Sequence, residues 1–286
     1  MRLKMRNDFA VFILSHGRPD RLFTLNTLRK GNYSGKWYIV IDNEDETAEE
    51  YYIRCPDHVI QFDKAAIAKT FDTADLSNDR RTIVYARNAC FEIATRIGVK
   101  YFLELDDDYT DFQSRIPQDG RLFTISRLDL DNIFSAMLDF FEKSGALSVA
   151  FAQGGDFIGG ISNPAIRKRI SRKCMNSFFC SVERPFKFLG RINEDVNTYT
   201  TLASRGNLFF TVLSVMLVQK TTQHNRGGMT DVYLDRGTYL KSFYSVMMMP
   251  SAVKIGVVGE KHIRIHHRIT WNNTCPRILH EKWRKP

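Results

Sequence analysis

Tyr101-Phe102-Leu103-Glu104-Leu105-Asp106-Asp107-Asp108 is the stretch that decides the fold. It opens as the bulky, largely apolar run YFLEL and passes without a break into three carboxylates. A strand buried on both faces reads as such a run. In open α/β sheets, ligands bind in the crevice outside the carboxyl ends of the strands. Adjacent carboxylates disfavour one another's ionised form unless a cation is near. Mg2+ or Mn2+ takes oxygen ligands and commonly bridges carboxylates to substrate phosphates. The stretch therefore predicts a strand with a metal–diphosphate site at its end, Asp106 and Asp108 being the alternating pair. Taken alone it also reads as a solvated acidic turn, so its surroundings decide.

On its N-terminal side lies a helix predicted over Thr82 to Gly98. Ala86, Ala89, Cys90, Ile93 and Ile97 recur at three- or four-residue spacing, and Gly98 stands at the stop. Further upstream, Phe9 to Ser15 and Trp37 to Ile41 are continuous apolar runs, and Val59 to Phe62 is a shorter one. A helix is predicted from Arg18 to Lys30, ending at Gly31. Strand and helix signals alternate, which is the pattern of parallel βαβ units.

Downstream the pattern is less regular. Leu130 to Ser144 reads as a helix and Leu147 to Ala152 as a strand. A glycine-rich loop, Gly154-Gly155-Asp156-Phe157-Ile158-Gly159-Gly160, follows; it lacks the strand–helix context of a phosphate fingerprint and reads as a flexible acceptor-side loop. Val196 to Arg205 reads as a helix, Phe209 to Val218 as a strand and Val232 to Tyr244 as a helix. Glu194-Asp195 precedes the first of these helices. There the pair either caps a helix dipole or supplies a general base.

The 286 residues carry 41 Lys and Arg against 32 Asp and Glu, a formal net charge of +9. A polyanionic partner profits from that balance, because Lys and Arg contacts to phosphates release counterions. Lys168, Arg169, Arg172 and Lys173 form one basic stretch. Arg264, His266, His267 and Arg268 form another, with Trp271 beside them. Each reads either as a solvated face or as a track for a nucleic-acid backbone. Five cysteines are scattered, odd in number and without a CxxC pair, so a reducing cytoplasm is expected rather than a disulfide scaffold. No apolar run approaches a membrane span, and the basic start lacks a secretory signal's apolar stretch.

In their order these features resemble the GT-A class of glycosyltransferases: Ser15-His16-Gly17-Arg18-Pro19, Ile41-Asp42, Ala86-Arg87-Asn88, Asp106-Asp107-Asp108 and Glu194-Asp195. More narrowly, the chain resembles the TET-associated glycosyltransferases, a family found in phages. The stretches carrying this are residues 15–21, residues 85–94, residues 228–233 with 237–244, and the Arg- and His-rich tail. The resemblance implies an α/β fold: a GT-A-like, Rossmann-type mixed sheet flanked by helices, in a single domain over 1–286. Residues 1–108 would be the nucleotide-sugar half, and 109–286 the acceptor half with its basic tail.

It also implies transfer from a UDP-sugar, with Mn2+ or Mg2+, to the hydroxymethyl group of a pyrimidine in DNA, hydroxymethylcytosine ahead of hydroxymethyluracil. The expected location is the cytoplasm, that of the host for a phage protein. Ser15, Arg18 and Asp42 would line the nucleoside pocket, Asp42 accepting from uracil or ribose and Arg18 meeting a phosphate or packing at a helix start. Arg87 would pair with Asp106 or with the diphosphate, and Asp107 would face the sugar. Asp195 would be the base of an inverting transfer, with Glu194 the substitute. A tail histidine, His262 or His266, would complete the metal shell of Asp106 and Asp108. Lys168, Arg169, Arg172, Lys173, Arg264, His267 and Arg268 would contact DNA, and Trp271 would stack on an extruded base. Competing readings are a transferase acting on a protein or surface glycan, and a metal nuclease or DNA-binding protein.

Overall fold

The strand β1 (Phe9–Leu14) is buried over its whole length, and alternate side chains enter two different cores. Phe9, Val11 and Ile13 belong to one cluster, and Ala10, Phe12 and Leu14 to the other. Two covered faces explain why its sequence shows no polar alternation. The computed structural model describes residues 4–126, 128–220, 229–259 and 263–276, with the backbone alone described over 229–238.

The chain continues through α1 (Phe23–Lys30), β2 (Lys36–Asp42), α2 (Ala48–Arg54), β3 (Val59–Phe62), α3 (Lys64–Ala68), α4 (Val84–Arg96) and β4 (Tyr101–Asp106). Next come β5 (Tyr109–Gln118), β6 (Arg121–Ile125), α5 (Leu130–Ser144), β7 (Ser148–Ala152), α6 (Pro164–Lys168), β8 (Ile170–Ser171) and β9 (Ser177–Ser181). It ends with α7 (Glu194–Ala203), β10 (Phe209–Gln219), α8 (Met229–Met248), β11 (Val253–Val258) and β12 (Arg264–Ile269).

Ten strands form one mixed sheet in the order β3-β2-β1-β4-β9-β7-β10-β5-β6, with β8 alongside β10. The first four strands of that order are parallel. β9 runs antiparallel to β4 and β7. Helices α1 and α5 cover one face, and α3, α4 and α7 the other. This is the helix-flanked mixed α/β sheet expected from the sequence. β11 and β12 form a separate hairpin that packs on α8. Among the described residues no helix is long and apolar enough to cross a membrane.

Several boundaries differ from the expectation for identifiable reasons. α1 starts at Phe23, not Arg18, because the preceding backbone is used in a turn. Gly17 has φ +67°, and the amides of Gly17 and Arg18 donate to Asp45 and to the Tyr51 hydroxyl. α7 starts at Glu194 rather than Val196, with Asn193 at φ 55° closing the loop before it. The hairpin of β5 and β6 turns at Asp119-Gly120, both with positive φ. β9 and the tail hairpin are further strands that the pass along the sequence did not place.

Candidate active site

The site lies at the carboxyl edge of the parallel strands. Leu14 pairs with Asp106 and with Val40, so Ser15, Asp42 and the acidic triplet emerge side by side. Strand parity then sends the three acids to different partners. Phe102, Glu104 and Asp106 face α4, whereas Leu103 and Leu105 face the α1 side. Asp107 follows the α1 side. Its Oδ2 accepts from Ser15 Oγ at 2.5 Å, and its Oδ1 lies 3.2 Å from Arg18 Nη2. It is 1% exposed, and burial pushes its carboxyl up to about 7 against the pull of Arg18. Ser15, Arg18 and Asp107, three of the predicted donor residues, are therefore bound to one another. Tyr51, which the sequence reading did not single out, supports them through a 2.8 Å contact to Ser15 Oγ.

Asp106 points the other way. Its Oδ1 accepts from Arg87 Nη2 at 3.1 Å, and its side chain remains 21% exposed. The Tyr109 hydroxyl donates to the Asn176 carbonyl at 2.5 Å and lies 3.3 Å from Asp106 Oδ2. Asp108 turns toward β10, where Gln219 Nε2 donates to both of its oxygens at 3.2 and 3.0 Å. Burial, then the neighbouring charge of Asp106, pushes the Asp108 carboxyl up to about 6. Two carboxylates thus share one edge. One is partly open, and the other is faced by a neutral amide. That donor set suits a hard divalent ion, which Mg2+-type sites hold with one or two carboxylates plus phosphate oxygens.

Arg87 joins the triplet to the Glu194-Asp195 pair. It is 2% exposed; Nε donates to Glu194 Oε1 at 3.1 Å, and Nη1 lies 3.6 Å from Glu104 Oε2. Phe178 and Phe188 flank the guanidinium at 4.7 and 5.9 Å. Asp195 accepts from the Val196 amide at 2.7 Å, and burial raises the carboxyls of both Glu194 and Asp195 above the usual range. Lys241 on α8 is near enough to act on Asp195 electrostatically. Asn193 ties the loop to α8 by donating to the Lys241 carbonyl at 2.6 Å and the Ser245 hydroxyl at 3.2 Å. Arg87→Met is expected to destabilise the fold by about 3–5 kcal/mol, because three buried or half-buried carboxylates lose their shared cation. Urea unfolding measures this, and a loss under 1 kcal/mol would contradict the assignment.

Asp42 closes β2, on the same sheet edge as Ser15 and the triplet. Its Oδ2 accepts from Lys64 Nζ at 3.1 Å and lies 2.9 Å from His16 Nδ1, while Oδ1 accepts from the Glu44 amide at 3.0 Å. Burial opposes ionisation there, but His16 and Lys64 outweigh it and hold the carboxyl below its ordinary value. Lys64 was not singled out. Its one available signal is its position just past the end of β3, on the same sheet edge.

The tail residues separate. His266 and His267 lie on β12 with ring centroids 4.2 Å apart. His267 is held down to about 4 by burial, then by His266, Lys241 and Lys173. Among the described residues no three His, Cys, Asp or Glu side chains gather as a metal site, so His266 is not joined to Asp106 and Asp108. His262 lies outside the described residues. Lys173 pairs with Asp156, while Lys168 and Arg169 are exposed at the end of α6. Arg264 and Arg268 are exposed on β12, Arg268 donating to the Val257 carbonyl at 2.7 Å. Trp271 stacks on Tyr199 at 5.9 Å, and the Arg172 guanidinium lies 5.5 Å from its ring, so protein groups already engage the indole.

Residues 9–228 match the family model described as TET-Associated Glycosyltransferase. The chain belongs to that family. The protein is accordingly a glycosyltransferase. No curated protein matches the chain. Among solved structures, glucosyl-3-phosphoglycerate synthase from Mycobacterium tuberculosis with Mg2+ and UDP is similar at 10% identity and TM-score 0.46, covering 91% of this transferase and 87% of that chain. The same synthase with Mn2+, UDP-glucose and phosphoglyceric acid gives 10% identity and TM-score 0.47, covering 87% and 83%. Overlap this remote says nothing about the transferase's own site.

Proposed function

We propose that this transferase moves a sugar from a UDP-linked donor to the hydroxymethyl group of a modified pyrimidine in DNA, hydroxymethylcytosine ahead of hydroxymethyluracil. The observation that carries the reading is the single guanidinium of Arg87, held between Asp106 and Glu194. A sugar transferase needs a place for a leaving diphosphate beside a base for the incoming hydroxyl, and Asp106 and the Glu194-Asp195 pair, joined through Arg87, would supply these two within one side chain's span.

Asp106 and Asp108 would hold Mn2+ or Mg2+. Such an ion, bound with the donor diphosphate, neutralises the charge that develops on the leaving group. Asp42, with His16 and Lys64, borders the nucleoside. Ser15, Arg18 and Asp107 brace the loop between that pocket and the triplet. Asp195 takes the proton of the acceptor hydroxyl, since Glu194 is already engaged by Arg87. Residues 1–108 thus serve the donor, and 109–286 serve the acceptor.

The net charge of +9 supports a polyanionic acceptor. So does the placing of Lys173 and Lys241 within electrostatic reach of His267, with Lys241 also reaching Asp195. The test is incubation with UDP-glucose, UDP-galactose and other UDP-sugars, Mn2+, and DNA with or without hydroxymethylcytosine. Digested nucleosides should gain the mass of one sugar. Cutting of the DNA without any mass gain would overturn the reading in favour of a nuclease, and transfer to protein or glycan alone would move the acceptor. In addition, replacing the exposed Lys168 and Arg264 together by Gln should lower the salt slope of DNA binding by about 1–2 and leave UDP affinity intact. An unchanged slope would remove these residues from the DNA track.

A further inference from the structure

The hairpin of β11 and β12 stands apart from the main sheet, and its charge is of one sign. Neither strand holds a carboxylate, while Lys254, Arg264 and Arg268 lie along them. Register sets Lys254, Gly256 and Val258 opposite Arg268, His266 and Arg264, so strand parity gathers these six on one face. The other face carries Val253, which is fully buried, and Ile269, which packs on the core. Lys254, Arg264 and Arg268 are therefore turned outward, and all three are exposed. Other surface cations lie against acids, as Lys100 does with Glu183 and Lys143 with Asp139. Among the described residues no carboxylate pairs with Lys254, Arg264 or Arg268.

One of these cations is held in place. Gly256 has no positive φ, yet a Cβ there would collide with Cγ, Cδ and Nε of Arg268. The Arg268 stem thus lies across bare backbone, and its Nη2 donates to the Val257 carbonyl at 2.7 Å. A guanidinium fixed in this way loses less freedom when an anion meets it. The hairpin is also tied toward Asp195. The Ser242 hydroxyl on α8 donates to the Ile265 carbonyl at 3.4 Å, and the adjacent Lys241 carbonyl accepts from Asn193, at the start of α7.

We propose that the β11–β12 ribbon enters the major groove of duplex DNA, with Lys254, Arg264 and Arg268 meeting the phosphates along its walls. A groove about 12 Å wide admits a two-stranded ribbon. Strands of this length, at about 3.3 Å per residue, run roughly 20 Å and reach from one wall to the other. The C5 substituent of a pyrimidine projects into the same groove. The ribbon therefore meets the groove that carries the acceptor hydroxymethyl group, from an element tied to the loop before Asp195. The inference rests on the DNA acceptor proposed above and narrows it to a duplex, presented by its major groove.

The test measures binding of the intact protein to a hydroxymethylcytosine duplex and to its single strand, by fluorescence anisotropy over a salt series. Lys254→Gln combined with Arg268→Gln should weaken duplex binding by about 10-fold or more and lower its salt slope by about 2, with UDP affinity unchanged. The single strand should lose less than about 3-fold. Gly256→Ala keeps every charge but displaces Arg268, and should weaken the duplex by about 3-fold. Netropsin, which occupies the minor groove, should leave duplex affinity within about 2-fold, whereas bulky C5 groups on neighbouring pyrimidines should lower it by about 10-fold. Competition by netropsin, equal losses on duplex and single strand, or no loss in the double variant overturns the proposal while sparing the DNA acceptor. Lost binding to anionic lipid vesicles with duplex binding intact overturns it too, and assigns the ribbon to a membrane surface. A wild-type protein that neither binds nor glycosylates any DNA overturns both.

Discussion

Asp108→Ala is expected to reduce sugar transfer by about a thousandfold or more while leaving DNA affinity within about twofold. The diphosphate would leave with developing negative charge, and losing one of the two carboxylates proposed to hold the metal would remove several kcal/mol of stabilisation from that step. The variant should still fold. Asp108 is a buried carboxylate held by the neutral amide of Gln219, so its removal breaks no ion pair of the kind Arg87 makes. Asp108→Asn is the sharper version, because it keeps the volume. Mn2+ should raise the Tm of the wild type by mass action and fail to raise that of the variant. Transfer by Asp108→Asn at more than about a tenth of the wild-type rate would sink the metal assignment. So would an undiminished Mn2+ shift in Tm. Loss of DNA binding with normal UDP-sugar hydrolysis would place Asp108 on the acceptor instead.

The acidic triplet shows how far the sequence reached. Its strand was legible because β1, most of β2 and β4 are buried and therefore largely apolar, and because Ala89, Cys90 and Ile93 recur at helical spacing along α4. The meeting of Arg87 with Asp106 was among the readings open from the Arg-Asn helix. Other parts had weaker signals. The hairpin of β5 and β6 carries Asp119-Gly120, a turn pair that marks hairpins and was readable. The alternation of Arg264, Ile265, His266, His267 and Arg268 hides a strand because two adjacent histidines blur the period. Long-range partners are a different matter. Gln219 lies 111 residues from Asp108, and Glu194 lies 107 from Arg87. No local pattern ties such pairs; the sheet order that joins β10 to β5 and places β9 beside β4 does so. Glu104 is also instructive. It occupies a strand position where parity calls for a core residue, and it is fully buried beside Arg87. In the sequence it reads as one charge within an apolar strand. Only the packing of α4 shows that it faces the guanidinium that links the two halves of the site.

Asp195→Asn should cost transfer about 10^2–10^4-fold, the usual range for removing a general base. UDP-sugar affinity and Tm should be nearly unchanged. Glu194→Gln should behave differently, because Glu194 holds Arg87 at 3.1 Å. It should lower stability measurably and transfer more modestly. The pH profile separates the two roles further. Asp195 is faced by Lys241 from α8 and Arg87 from α4, and it adjoins Glu194 on its own helix; Cys174 and Tyr199 lie near it. Burial is the dominant influence and raises its carboxyl above the ordinary range, while Lys241 and Arg87 pull it back down. A base works only when deprotonated. Activity should therefore fall as pH drops through that raised value, giving an acid limb above the range of an exposed aspartate. Removing the positive charge of Lys241 takes away one of the groups that favour the ionised form. Lys241→Met should accordingly shift the limb to higher pH, with the plateau rate largely recovered at alkaline pH. A purely structural role for Lys241 would lower the plateau and leave the limb in place. Full activity in Asp195→Asn, with the product's anomeric configuration matching that of the donor, would mean that transfer proceeds with retention and needs no base at this position.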